Sequence, residues 1–132
     1  MKIYGNSQIN PGRTDTSTPE QTFLRKIDDW AKEPNQEAGE RRDRAATLIK
    51  EAYQQKNERL ELFNMLSRLP DLSKMSYLKV LRLPCNSQLT NVDLSNMFNL
   101  EEIDLQGCAL ESFTLSGLPK LKSLNLSRNQ LT

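Results

Sequence analysis

The sequence predicts an α/β solenoid: about four short parallel strands with no long convex helices, closed on its N-terminal side by an αα-hairpin. Two observations predict the array and a third predicts the hairpin. Stretches of the chain superpose at offsets of 21 and 22 residues, and a fixed period of that length marks a repeat architecture. The copies share the leucine-rich pattern L-x-x-L-x-L-x-x-N/C-x-L. Leu100, Ile103, Leu105, Cys108 and Leu110 form one, and Leu121, Leu124, Leu126, Asn129 and Leu131 the next. Two amphipathic helical patterns stand immediately before the first copy, where a repeat array needs its raw apolar end covered.

Residues 1–17 are rich in Asn, Ser, Thr, Gly and Pro, with only Ile3, Tyr4 and Ile9 as bulky apolar groups, and read as a disordered leader. Thr18 then offers an N-cap, Pro19 suits the first helical position, and Gln21 completes a capping box. Phe23, Leu24, Ile27, Trp30 and Ala31 share one face of this helix. Pro34 and Gly39 bracket the turn that follows. A second helix is expected from about Glu37 to Gln55, with Ala38, Ala45, Leu48, Ile49, Ala52 and Tyr53 as its apolar stripe. Trp30 and Tyr53 belong to the hairpin interior. Two short helices bury too little to stand alone, so residues 18–58 are assigned as a cap on the array.

The repeats occupy residues 59–132, the last one incomplete. A degenerate first copy carries Leu60, Leu62, Met65 and Leu66. In the second, Leu78, Leu81, Leu83 and Asn86 keep the spacing, but Leu89 arrives one residue late and produces the 22-residue interval. Strands are expected around 59–63, 80–84, 102–106 and 123–127, stacked in parallel. The returning segments carry Val92, Leu94 and Met97, then Phe113, Leu115 and Leu118. Asp-Leu-Ser and Thr-Leu-Ser sequences interrupt them, so extended or 3₁₀ turns are expected there.

The low apolar content, 36%, suits an array that buries one stripe per repeat. Net charge is +1 with acids and bases interleaved, which implies neither a nucleic-acid nor an acidic-membrane partner. No apolar run is long enough to span a membrane or serve as a secretory signal peptide. Cys85 and Cys108 are too few for a disulfide framework; Cys108 takes the inward N/C position as a small plug, and a reducing compartment fits.

The chain contains no histidine, which removes Ser-His and Cys-His nucleophile pairs and most zinc sites. Its glycines are scattered singly and form no phosphate-binding loop. Glu101, Glu102 and Asp104 lie close in sequence, and Glu102 and Asp104 should share the exposed face of one strand, but no third ligand converges on that pair and a solvated strand face is the plainer reading. Neither cofactor nor catalysis is expected, and Cys85 has no evident activating base.

Side chains alternate along a strand, so the outward residues of successive strands should form columns on the concave face. Glu61, Arg82, Asp104 and Asn125 make the central one. Arg59, Val80, Glu102 and Ser123 flank it on one side, Phe63, Pro84, Gln106 and Ser127 on the other. These twelve are the candidate partner-binding residues. Strands lie about 4.8 Å apart, so the acid, base and acid of the central column should sit within ion-pair reach. Phe63 either stands on this face as an aromatic anchor or tucks under the cap.

Trp30, the Glu40–Arg42 stretch, Ala45 and Ile49, then Leu60-Glu61-Leu62 and Leu69-Pro70-Asp71-Leu72 together resemble a known group. It is the LPX-type leucine-rich-repeat effectors that enteric bacteria deliver by type III secretion, the YopM and IpaH-like proteins. The resemblance covers about residues 22–72. It implies that the leader is a secretion signal, the hairpin a cap and the repeats a surface for host proteins in the host-cell cytoplasm. Later repeats depart from the group in length and read Leu118-Pro119 without a second proline. One branch appends a ubiquitin-ligase domain with a Cys-x-Asp motif. Neither cysteine here is in such a motif, so an alternative is the recognition half of a ligase whose catalytic part is not in this sequence. The sequence stops after the fourth asparagine position, from which an open edge, truncation and self-association through that edge are expected.

Overall fold

The computed structural model describes residues 18–113 and 117–131. The expected leader over residues 1–17, Leu115 of the return series and Thr132 lie outside them.

Helix α1 (Pro19–Ala31) starts where the capping box puts it. Thr18 Oγ1 accepts the Gln21 backbone N–H at 3.1 Å, and Gln21 Oε1 accepts that of Thr18 at 3.0 Å. Such a cap contributes about 1 kcal/mol. Phe23, Ile27 and Trp30 are buried, and Leu24 and Ala31 pack half-buried beside them. Helix α2 (Arg42–Gln54) is shorter than the expected 37–55. Gly39 takes the left-handed conformation at φ 89°, which helical backbone cannot pass through. Ala38 is therefore exposed in the turn instead of lying on the stripe, and Ala46 joins the buried face beside Ala45, Ile49, Ala52 and Tyr53. The rings of Phe23 and Tyr53 meet at 4.4 Å between centroids, tilted by 39°, and lock the two helices together.

Four strands follow, β1 (Arg59–Glu61), β2 (Val80–Arg82), β3 (Glu102–Asp104) and β4 (Ser123–Asn125), in one parallel sheet of order β1-β2-β3-β4. The fold is thus a four-stranded parallel sheet with two helices preceding it, an α/β repeat fold. Regular strand geometry covers three residues each, less than the expected five, but ladder bonding runs on beyond it. Leu62 donates to the Arg82 carbonyl at 2.8 Å, Leu83 to Asp104 at 2.7 Å, and Cys85 to Gln106 at 2.7 Å. Between β1 and β2 the chain forms a 3₁₀ turn at Ser73–Met75.

The repeat leucines supply the core. Leu78, Leu81, Leu83 and Leu89 are fully buried, as are Leu100, Ile103, Leu105 and Leu110 at the same repeat positions. Each such side chain contributes roughly 1.5–3 kcal/mol. In the fourth copy Leu121, Leu124 and Leu126 are only half-buried and Leu131 is 40% exposed, because β4 has a sheet neighbour on one side.

Two further columns hold the repeats in register. Asn86 is buried at the N/C position. Its Nδ2 donates to the carbonyls of Leu62 and Leu83, each at 2.8 Å, while Oδ1 accepts the N–H groups of Met65 at 2.7 Å and Leu66 at 3.0 Å. Asn129 repeats the pattern, donating to Leu105 and Leu126 and accepting from Leu110. Between them Cys108 donates only to the Leu83 carbonyl, and burial pushes its thiol up to about 11. The residue just before each of these positions, and before the corresponding Met65 of the first repeat, is left-handed: Cys85, Gly107, Arg128 and Asn64, with φ from 55° to 72°. The late Leu89 is accommodated by a tight turn in which its N–H reaches the Asn86 carbonyl at 2.9 Å.

The hairpin joins the sheet through a buried ionic knot that no sequence pattern announced. Arg42 is buried, with its guanidinium 5.0 Å from the Trp30 ring. It donates to the Trp30 carbonyl at 3.0 Å, Glu33 at 2.8 Å and Glu40 at 2.7 Å. Glu40 in turn accepts the backbone N–H of Ser67 at 3.0 Å and its hydroxyl at 2.8 Å. Trp30 Nε1 donates to the Arg68 carbonyl at 3.0 Å, and Arg41 N–H to Met65 at 2.7 Å. Burial pushes the Glu40 carboxyl up, but hydrogen bonds from Arg42, Glu37 and Ser67 outweigh it and hold it at about 2.

Candidate functional site

The sheet register builds the outward face. Arg59 pairs with Val80, Val80 with Glu102 and Glu102 with Ser123; Glu61, Arg82, Asp104 and Asn125 align in the same way. The continued ladder bonds bring Phe63, Pro84, Gln106 and Ser127 alongside one another. All twelve residues expected on this face are accordingly at least partly exposed, while the leucines between them point into the core. Phe63 is 57% exposed, so it stands on the surface and does not tuck under the hairpin.

The ion pairing differs from the expectation. Arg82 turns diagonally to Glu102 in the flanking column, with Nε donating to Oε2 at 2.8 Å, and does not bridge Glu61 or Asp104. An arginine side chain is long enough to reach the diagonal residue as well as the one directly opposite. Asp104 instead accepts the backbone N–H of Gln106 at 3.0 Å. Asn125 donates to Gln106 Oε1 at 3.1 Å and accepts from the Ser127 backbone and hydroxyl. The alternating charge column lies just before the strands. There Lys79 approaches Glu58 at 3.5 Å and Lys122 approaches Glu101 at 3.6 Å. Its signal was in the sequence, since Glu58, Lys79, Glu101 and Lys122 alternate in sign at the repeat period.

The three carboxylates considered for metal or acid–base work have other engagements: Glu101 faces Lys122, Glu102 faces Arg82, and Asp104 holds a backbone amide. Among the described residues no group of three or more His, Cys, Asp or Glu side chains is arranged to hold a metal ion. A hollow of about 540 Å³ lies away from the sheet face, lined by Glu33, Arg42, Ser67, Arg68 and Asn91. Its ionic groups are those of the hairpin knot, bonded to one another. Cys85 is exposed and Cys108 buried, both as free thiols. No helix among the described residues is long and apolar enough to cross a membrane.

No protein-family model matches the chain, and no curated protein matches it. Among solved structures it is similar to YopM from Yersinia enterocolitica WA-314, with a TM-score of 0.45 and 20% sequence identity. The match covers 87% of this chain and 34% of that one, so the chain spans about a third of the length of its structural neighbour.

Proposed function

We propose that the chain is a leucine-rich-repeat solenoid that binds a protein partner through the concave face of its sheet, and that residues 18–58 cap the array. The observation that carries this reading is the register. With the ladder bonds that continue past the strands, it collects twelve outward side chains into three columns, with an exposed aromatic, Phe63, at one corner. A strand pattern that buries every second residue leaves the alternate positions free to vary for recognition. Phe and Arg are among the side chains enriched at protein interfaces, and Arg among those that dominate their binding energy.

The sequence resemblance of residues 22–72 supports the finer reading, a type III secreted bacterial effector whose partner is a host protein in the host-cell cytoplasm. In this reading the chain binds and turns over no substrate, and needs no cofactor.

The test is a comparison of the immobilised chain with two variants in host-cell extract, the retained proteins being quantified by mass spectrometry. Arg82→Ala combined with Asp104→Ala should deplete specific partners about tenfold, as loss of charged interface contacts does. Lys74→Ala, on the 3₁₀ turn, should keep them. Equal retention by both variants, with melting temperatures unchanged, would show that the central column is not the site.

A further inference from the structure

The charges on and beside the sheet face are unequally compensated. Lys79 answers Glu58, Lys122 answers Glu101, and Arg82 is drawn to Glu102. Among the described residues, two carboxylates of the central column and one cation of the flanking column, Arg59, are left over. No cation among the described residues reaches Glu61 or Asp104 within ion-pair distance, and Asp104 has only the Gln106 N–H. They stand two strands apart in one column, hence about 10 Å from each other. Beside them the column of Phe63 and Pro84 offers apolar surface, and more than half of Phe63 is open to solvent.

Resting on the reading of this face as a protein-binding surface, we propose that its partner is a basic amphipathic helix laid across the strands. The geometry selects that shape. Residues i and i+7 of a helix share a face and are separated by about 10.5 Å, matching the two carboxylates. In an extended segment, by contrast, side chains on one face fall about 6.6 or 13 Å apart, to either side of the required spacing. Lys or Arg at i and i+7 would meet Glu61 and Asp104, while an apolar side chain at i+3 or i+4 would rest on Phe63 and Pro84. Because Arg82 is held by Glu102, it does not compete with these cations for the two carboxylates.

The experiment is selection of a stapled-helix peptide display library on the whole chain, followed by titration of the enriched peptides against isosteric variants. Enrichment of helices with basic residues at i and i+7 is expected. Glu61→Gln and Asp104→Asn should each weaken binding about fivefold, and added salt should weaken it further. Both positions are solvent-facing, so the melting temperature should stay the same. Enrichment of acidic or uncharged helices, or of extended peptides, that still lose binding with Phe63→Ala would overturn the basic-helix proposal and leave the face as a binding surface. Peptides indifferent to all three substitutions, or no enrichment at all, would count against both.

Discussion

At the scale of single residues, Asn86 has the largest structural consequence for its size. One side chain saturates two carbonyls and two amides, which belong to two successive repeats. Replacing it with leucine keeps the branched outline but leaves the Leu62 carbonyl and the Met65 and Leu66 amides without this partner and the Leu83 carbonyl with the Cys108 thiol alone, at about 1–3 kcal/mol for each orphaned group where water cannot reach it. Asn86→Leu should therefore lower unfolding stability by about 3–5 kcal/mol in urea titration; a loss under 1 kcal/mol would mean that the backbone rearranges to satisfy itself. This role was legible in the sequence, because the N/C position is part of the repeat pattern. The left-handed residue before it was less legible. Glycine stands there once, as Gly107, and asparagine, which tolerates the left-handed region, once as Asn64, while Cys85 and Arg128 adopt the same conformation with no special residue type to announce it.

At the scale of elements, the junction between hairpin and sheet governs acid sensitivity. Glu40 titrates at about 2 in the folded chain against 4.5 for an unperturbed glutamate. A depressed folded-state value means that its stabilisation is fully present above 4.5 and drains away as pH falls toward 2. For a carboxylate this well enclosed, the difference amounts to about 3 kcal/mol. Glu33 is shifted the same way, chiefly by its hydrogen bond from Arg68, and adds to the trend. Thermal melts between about pH 5.5 and about pH 2.5 should show a steep loss for the parent chain and a shallower one for Glu40→Gln, which starts from a lower stability. Parallel curves would place the acid-sensitive step elsewhere. The knot was invisible in the sequence for a physical reason. Arg42 lies on a helix whose other buried residues are apolar or aromatic; its partners come from the end of the preceding helix and the turn after it, and one of them, Glu40, is held in turn by Ser67 of a return segment. The helices themselves were readable from caps and periodicity, apart from the start of α2, where Gly39 prevailed over the helical pattern.

At the scale of the whole molecule, the buried stripe weakens from the inner coils to the last. Leu124 and Leu126 are half-buried where Ile103 and Leu105 are fully so, and β4 presents one side of its backbone without a sheet neighbour among the described residues. Apolar surface beside unpaired strand backbone favours association. Sedimentation velocity should show the weight-average mass rising with concentration, and Leu124→Lys should suppress the rise; a monomer at all concentrations would refute this. The columns of the sheet face were legible because two periods, one of two residues and one of the repeat, multiply into a grid. The pairing of Arg82 was not, since a grid gives neighbours but does not say which neighbour a flexible side chain takes. The extra residue between Asn86 and Leu89 adds a last consequence. Its tight turn absorbs a change in repeat length after the strand has ended, so the strands on either side keep their register. Length can therefore drift on one flank of the coil without scrambling the other. In evolutionary terms, insertion is decoupled from recognition, and the outward face can be revised one side chain at a time.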